Sequence, residues 1–169
     1  MKITNENIEL TVLHDKSNYQ ISDLDSEVYV DRLCSSLLKK FHQYLLQECR
    51  IEPLAAGSLA AGADYFLREF MIDKKRENIF DATAQRVEQF AGNWYIISTL
   101  EPNVTELGAM LEGTANFYQY CALNKLTNEE TATHIRQICN KIDYFQQRIE
   151  DFHDISGDGY SSWDKACPL

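Results

Sequence analysis

Along this chain, long stretches in which apolar residues recur every third or fourth position alternate with short polar or proline-bearing interruptions. That spacing is the signature of amphipathic helices joined by tight connections. Over about 24–49 the apolar face consists of Val30, Leu33, Cys34, Leu37, Phe41 and Tyr44, with Ser22 and Asp25 at capping-box spacing at its entry. The stretch from about 54 to 72 carries Leu59, Ala63, Phe66, Leu67 and Phe70. Pro53 suits the first turn of that helix, where its missing N–H would have no intrahelical partner. The polar run 73–78 reads as a loop or frayed end.

The third stretch, about 81–98, aligns Ala84, Val87, Phe90, Ala91, Trp94 and Ile97, and Asp81 in its first turn complements the helix dipole. Pro102 then breaks the chain, and Asn103 with Glu106 gives the next start signal. The fourth, about 104–123, presents Leu107, Met110, Leu111, Thr114, Phe117, Tyr118 and Cys121, with Asn124 as its stop. The fifth and most regular runs from about 128 to 153 through Ile135, Ile138, Cys139, Ile142, Phe145, Ile149 and Phe152. Thr127 and Glu130 form its expected capping box, with Leu126 as a hydrophobic staple.

Outside these stretches, Ile8, Leu10 and Val12 alternate as a strand would, yet no partner strand is evident. Residues 1–21 therefore read as a short extended N-terminal arm, either a strand or a segment lying on the helices. Gly157, Gly159 and Pro168 mark 154–169 as an irregular C-terminal tail that covers the end of the bundle. No Pro-, Gly- or Ser-rich linker divides the chain, and at 169 residues folding buries roughly 70% of the unfolded surface. The expected fold is one all-α domain over 1–169, an up-and-down bundle of about five helices within 22–153.

Charge narrows the partners. With 26 acidic against 16 basic residues the formal charge is −10, which disfavours nucleic acid, since that affinity comes from neutralising phosphates with Lys and Arg. The excess gathers at 22–31, with Asp23, Asp25, Glu27 and Asp31, and at 143–164, where six acids accompany Arg148. These read as solvated acidic faces, or as surfaces for a basic partner. The five cysteines form no CxxC pair and no zinc spacing, and three of them, Cys34, Cys121 and Cys139, fall on apolar helical faces. No apolar run is long enough for a signal core or a membrane span, so the expected location is the cytoplasm.

Candidate chemistry is sparse. In 57–70, GSLAAGADYFLREF, one side of the helix gathers Gly57, Ala61, Asp64 and Arg68 while Ala56, Ala63, Phe66 and Phe70 lie on another. Small residues let a second backbone come close, so the Gly57/Ala61 side reads as a packing or dimer interface, or as a cleft floor ending in Asp64 and Arg68. Asn93 beside Gly92 disfavours a regular helix and marks a kink, with Trp94 next to it. Glu150 and His153 have the Glu-x-x-His spacing of di-iron bundles, with His153 expected on the buried stripe, but no second such pair exists. Asp154, Ser156, Asp158 and Gly159 open like a calcium loop whose twelfth position is Lys165 instead of Glu. No nucleophile elbow, phosphate loop or HExxH occurs, and no cofactor is implied.

Two functional classes follow. The first is a small acidic protein working through protein contacts, as an adaptor, regulator or homodimer, with no specific activity assignable from its residues. The second is a helical-bundle enzyme or small-molecule or metal binder with a cleft near Asp64 and Arg68, or near Glu150 and His153.

Overall fold

A computed structural model of the protein describes residues 8–169, and among them every regular element is helical. Of the expected arm, residues 1–7 lie outside the described ones. The elements are α1 (Leu10–Leu13), α2 (Leu24–Gln47), α3 (Pro53–Asp64), α4 (Ala84–Gln89), α5 (Tyr95–Ser98), α6 (Val104–Leu123), α7 (Glu129–Cys139), α8 (Ile142–His153) and α9 (Gly159–Ala166). Two π-helical segments, Tyr65–Lys75 and Phe90–Trp94, continue α3 and join α4 to α5. The all-α class holds, with more than the five expected helices.

Caps explain the well-read boundaries. Asn103 accepts from the Glu106 N–H at 2.8 Å to start α6, and Asn124 ends it. Pro53 occupies the first turn of α3. Two expected caps shift by one residue. The reciprocal box at α2 uses Asp23 and Ser26, not Ser22 and Asp25. At α7 the cap is Asn128, which accepts from the Thr131 N–H at 2.7 Å, while Thr127 donates to the Phe80 carbonyl. Asp81 lies in a short 3-10 turn, Ile79–Asp81, paired with Lys16 at 2.6 Å, and Thr83 starts α4.

Helices α3 and α6 form the centre, packed backbone to backbone. A Cβ on Gly62 would stand 2.8 Å from the Ala109 carbonyl oxygen, and one on Gly113 would fall on the Leu59 carbonyl. Around this pair, α2 packs on α3, and α7 and α8 on α6. The core is aromatic: Phe41, Phe66, Phe70, Phe90, Phe117, Tyr118 and Phe145 are fully buried. In the first π segment the wider winding turns each residue through a smaller angle, so Phe70, Met71 and Ile72 all stay inside. Arg76, with φ 55°, ends it.

Three expectations are corrected. The alternation at Ile8, Leu10 and Val12 is no strand: Leu10–Leu13 is a helical turn. Its segment nevertheless lies on the helices, with Tyr19 buried edge-on to Phe80 and Asn78 donating to the Lys16 carbonyl. The fifth helix is two, broken at Asn140 and Lys141, because Lys141 adopts ψ 50° and restarts the chain as α8. The tail is not irregular: α9 forms within it and buries Trp163 over the bundle end.

Candidate functional site

Helix α3 has two sides, as its small residues suggest, but their assignment differs from the expectation. The closely packed side is Ala56, Gly62 and Ala63. Gly57 has no atom within 4 Å of where a Cβ would sit, and Ala61 is exposed. The Gly57/Ala61 side therefore faces outward, and among the described residues no helix packs over Gly57.

Beside it runs a shallow groove of about 240 Å³ between α2 and α3, lined by Ser35, Leu38, Lys39, His42, Ala60, Ala61 and Asp64. Spacing within α2 and α3 puts four polar groups there: the Ser35 hydroxyl, the Lys39 ammonium, the His42 ring and the Asp64 carboxylate. His42 Nε2 is enclosed and has no hydrogen-bond partner, an uncommon state for a buried ring nitrogen. Nothing in the apolar pattern of α2 marks His42; the i, i+4, i+7 spacing of Ser35, Lys39 and His42 is the signal that puts them on a shared face.

At the groove's end Arg68 bridges two helices. Its Nε donates to Asp31 Oδ1 at 2.9 Å and its Nη2 to Asp31 Oδ2 at 3.1 Å, while Nη1 reaches Asp64 at 3.4 Å. Hydrogen bonding from Asp31, above all, raises the Arg68 pKa further beyond its ordinary value. The Asp64–Arg68 pair is thus part of a tie between α2 and the first π segment, with Asp31 as the stronger partner. Glu27 pairs with Arg76 at 3.2 Å on the same front. Two carboxylates of the acidic stretch 22–31 are thereby neutralised within the chain.

At Asn93, where a kink is expected, the chain takes up the second π segment, packed into the interior. Asn93 is fully buried, and its Nδ2 donates at 2.9 Å to both Asp164 Oδ1 and the Cys167 carbonyl. Trp94 packs against Tyr65, Phe70 and Phe90 with centroids 5.5 to 6.0 Å away. Both π segments therefore meet through one aromatic cluster. Arg148 of α8, only 5% exposed, donates from Nε to the Gly92 carbonyl at 2.9 Å and from Nη1 to the Trp163 carbonyl at 2.7 Å. The Trp163 indole returns a bond to the Arg148 carbonyl, and its ring lies 4.0 Å from the guanidinium. This clasp fastens α9 to the body, and sequence reading counted Arg148 only as a lone base among acids.

Glu150 and His153 are both exposed on α8, so His153 is not on the buried stripe. Glu150 accepts from Gln146. Among the described residues no three His, Cys, Asp or Glu side chains gather at metal-binding distance. The Asp154–Gly159 run leads straight into α9. Cys34 and Cys121 are buried and their thiols are pushed up by burial, while Cys49 is exposed. No helix among the described residues is long and apolar enough to cross a membrane. No known protein family, curated protein or solved structure matches the chain.

Proposed function

We propose that the protein works through protein contacts and that the open side of α3 is where a second copy of the chain packs. The observation behind this reading is that α3 carries no charge from Pro53 to Ala63, and yet Leu54 is 82% exposed and Ala55, Ser58 and Ala61 lie on the surface. A quarter of the chain's residues are charged, so a helix face without charge and without cover is the least water-adapted surface of α3. Gly57 and Ala61 let an opposing helix approach closely, and Leu54 supplies apolar area to bury. A two-fold arrangement would set the same face of each copy against the other. The test is light scattering over a range of concentrations. A dimer that Ala61→Glu converts to a folded monomer supports the reading; a monomer at every concentration, or a variant dimer of unchanged mass, overturns it.

A second reading rests on the neighbouring groove. Ser35, Lys39, His42 and Asp64 would hold a small polar ligand, and the unpartnered His42 Nε2 is what favours it. At about 240 Å³ the groove falls below the roughly 300–1,000 Å³ of most ligand pockets, so only a small compound fits. An NMR screen of small polar compounds that moves the His42 ring resonances would support this, and a screen that moves none removes it.

A further inference from the structure

The molecule's most unusual charge is Arg148. A guanidinium taken out of water is costly unless a carboxylate compensates it, yet its bonded partners are two neutral carbonyls and an indole ring. Its Nη2 is enclosed and has no partner at all. The same residue lines a cleft of about 430 Å³ between α8 and α9, a size within the range of small-molecule sites. Trp163 and Ile155 give the cleft apolar wall, and Ser156 and Ser162 give it hydroxyls. Asp151 and Asp154 contribute carboxylates from its rim, and α9 starts on it at Gly159 without a side-chain cap.

We propose that this cleft is a binding site for a small zwitterion of the α-amino acid type. Arg148 takes the carboxylate through the nitrogen that has no partner, and Asp151 and Asp154 take the ammonium. The rim acids decide the class. A bare anion would meet two negative charges on its way to one positive charge, and a bare amine would leave the buried guanidinium uncompensated. A ligand that carries both charges a few bonds apart satisfies both. Nη2 is enclosed and the guanidinium lies against the Trp163 ring, so on this proposal binding moves Trp163 aside.

The test uses the full chain. Thermal melts and calorimetric titrations are run with each proteinogenic L-amino acid, and with acetate and methylammonium as single-charge probes. The expected result is a saturable rise in melting temperature with at least one amino acid and with neither control. In two-dimensional NMR the Trp163 indole N–H should move while that of Trp94, in the other aromatic cluster, stays in place. Because Arg148 variants disturb the clasp itself, the decisive variants are Asp151→Asn and Asp154→Asn, both at exposed positions. Each should weaken binding by about fivefold, the worth of one partly exposed charge contact. The proposal is overturned if no amino acid binds, if acetate binds as well as the amino acids, or if both rim variants bind unchanged. Dimer formation through α3 is read separately and does not bear on this outcome.

Discussion

Gly113 of α6 lies directly beneath the carbonyl of Leu59 in α3, so close that a Cβ there would clash with the carbonyl oxygen. Backbone on both sides leaves nothing soft to yield. Gly113→Ala should therefore cost about 3 kcal/mol, the upper part of the range for overpacking, read by urea denaturation. Gly57→Ala should do the opposite. It meets nothing within 4 Å and gains about 0.5–1 kcal/mol of helix preference. Equal effects of the two substitutions would contradict the assignment of the two sides of α3.

That assignment shows where sequence reading stops. The richness of α3 in small residues is visible in its letters, and so is its two-sidedness. Which side is covered depends on α6, whose Gly113 sits in an otherwise ordinary stripe, and a single helix carries no record of its neighbour's register. Gly57 and Ala61 lie on the outward face of that helix, and Gly62 on the covered one.

Arg68 and Asp31 share two hydrogen bonds, but both side chains are more than a third exposed. Solvent screening limits what such a pair contributes to about 1 kcal/mol or less, even with paired geometry. Asp31→Asn should lower stability by that much, and the loss should shrink as salt is raised. A loss of several kcal/mol that is insensitive to salt would mean that the tie is structural in another way. Asp64→Asn, which removes only the longer contact at 3.4 Å, should cost less.

His14 stands 3.3 Å from the Tyr120 hydroxyl, and burial lowers its pKa below 6.5. A depressed value in the fold means that the unfolded chain takes up its proton first as pH falls. The stability His14 gives is present above pH 6.5 and is lost as pH falls from there through the lower value in the fold. Comparing the wild type with His14→Asn between pH 7.5 and roughly pH 5 isolates this contribution from the carboxylates. The wild type should lose more stability than the variant over that window, and identical slopes would remove His14 from the account.

Elsewhere the limits are physical too. The apolar repeat through Ile135, Ile138, Cys139 and Ile142 continues smoothly across the break at Asn140, because a short interruption that restarts in phase leaves the stripe intact. The π segments are invisible to a reading tuned to 3.6 residues per turn, apart from the clue of Asn93 beside Gly92. In the first of them, Phe70, Met71 and Ile72 side by side are more apolar than one α-helical face accommodates, and that excess is the trace of the wider winding. That the tail covers the bundle end is legible in the sequence, and Trp163 is the residue that does it. That Arg148 would hold it was not, because the partners are main-chain carbonyls, which no side-chain pattern announces.

The clasp makes the last prediction. Arg148 reaches the Gly92 and Trp163 carbonyls from two different nitrogens, which a planar fork can do and a single ammonium cannot. Arg148→Lys keeps the charge and loses one of those bonds, leaving a buried carbonyl without a donor. It should cost about 1–3 kcal/mol. Since Trp163 and Asp164 of α9 and Cys167 just after it tie this end of the chain to the body, the loss should appear locally. Amides of α9 should exchange faster in the variant, while those of α6, held by the α3 contact, keep their protection. Gly92→Ala gives an independent check, for its Cβ would stand 3.0 Å from the Cys167 sulfur and press on the same end of the clasp. Both variants should loosen α9 together, and a variant that loosens α6 instead would show that the clasp supports the core rather than the C-terminal helix.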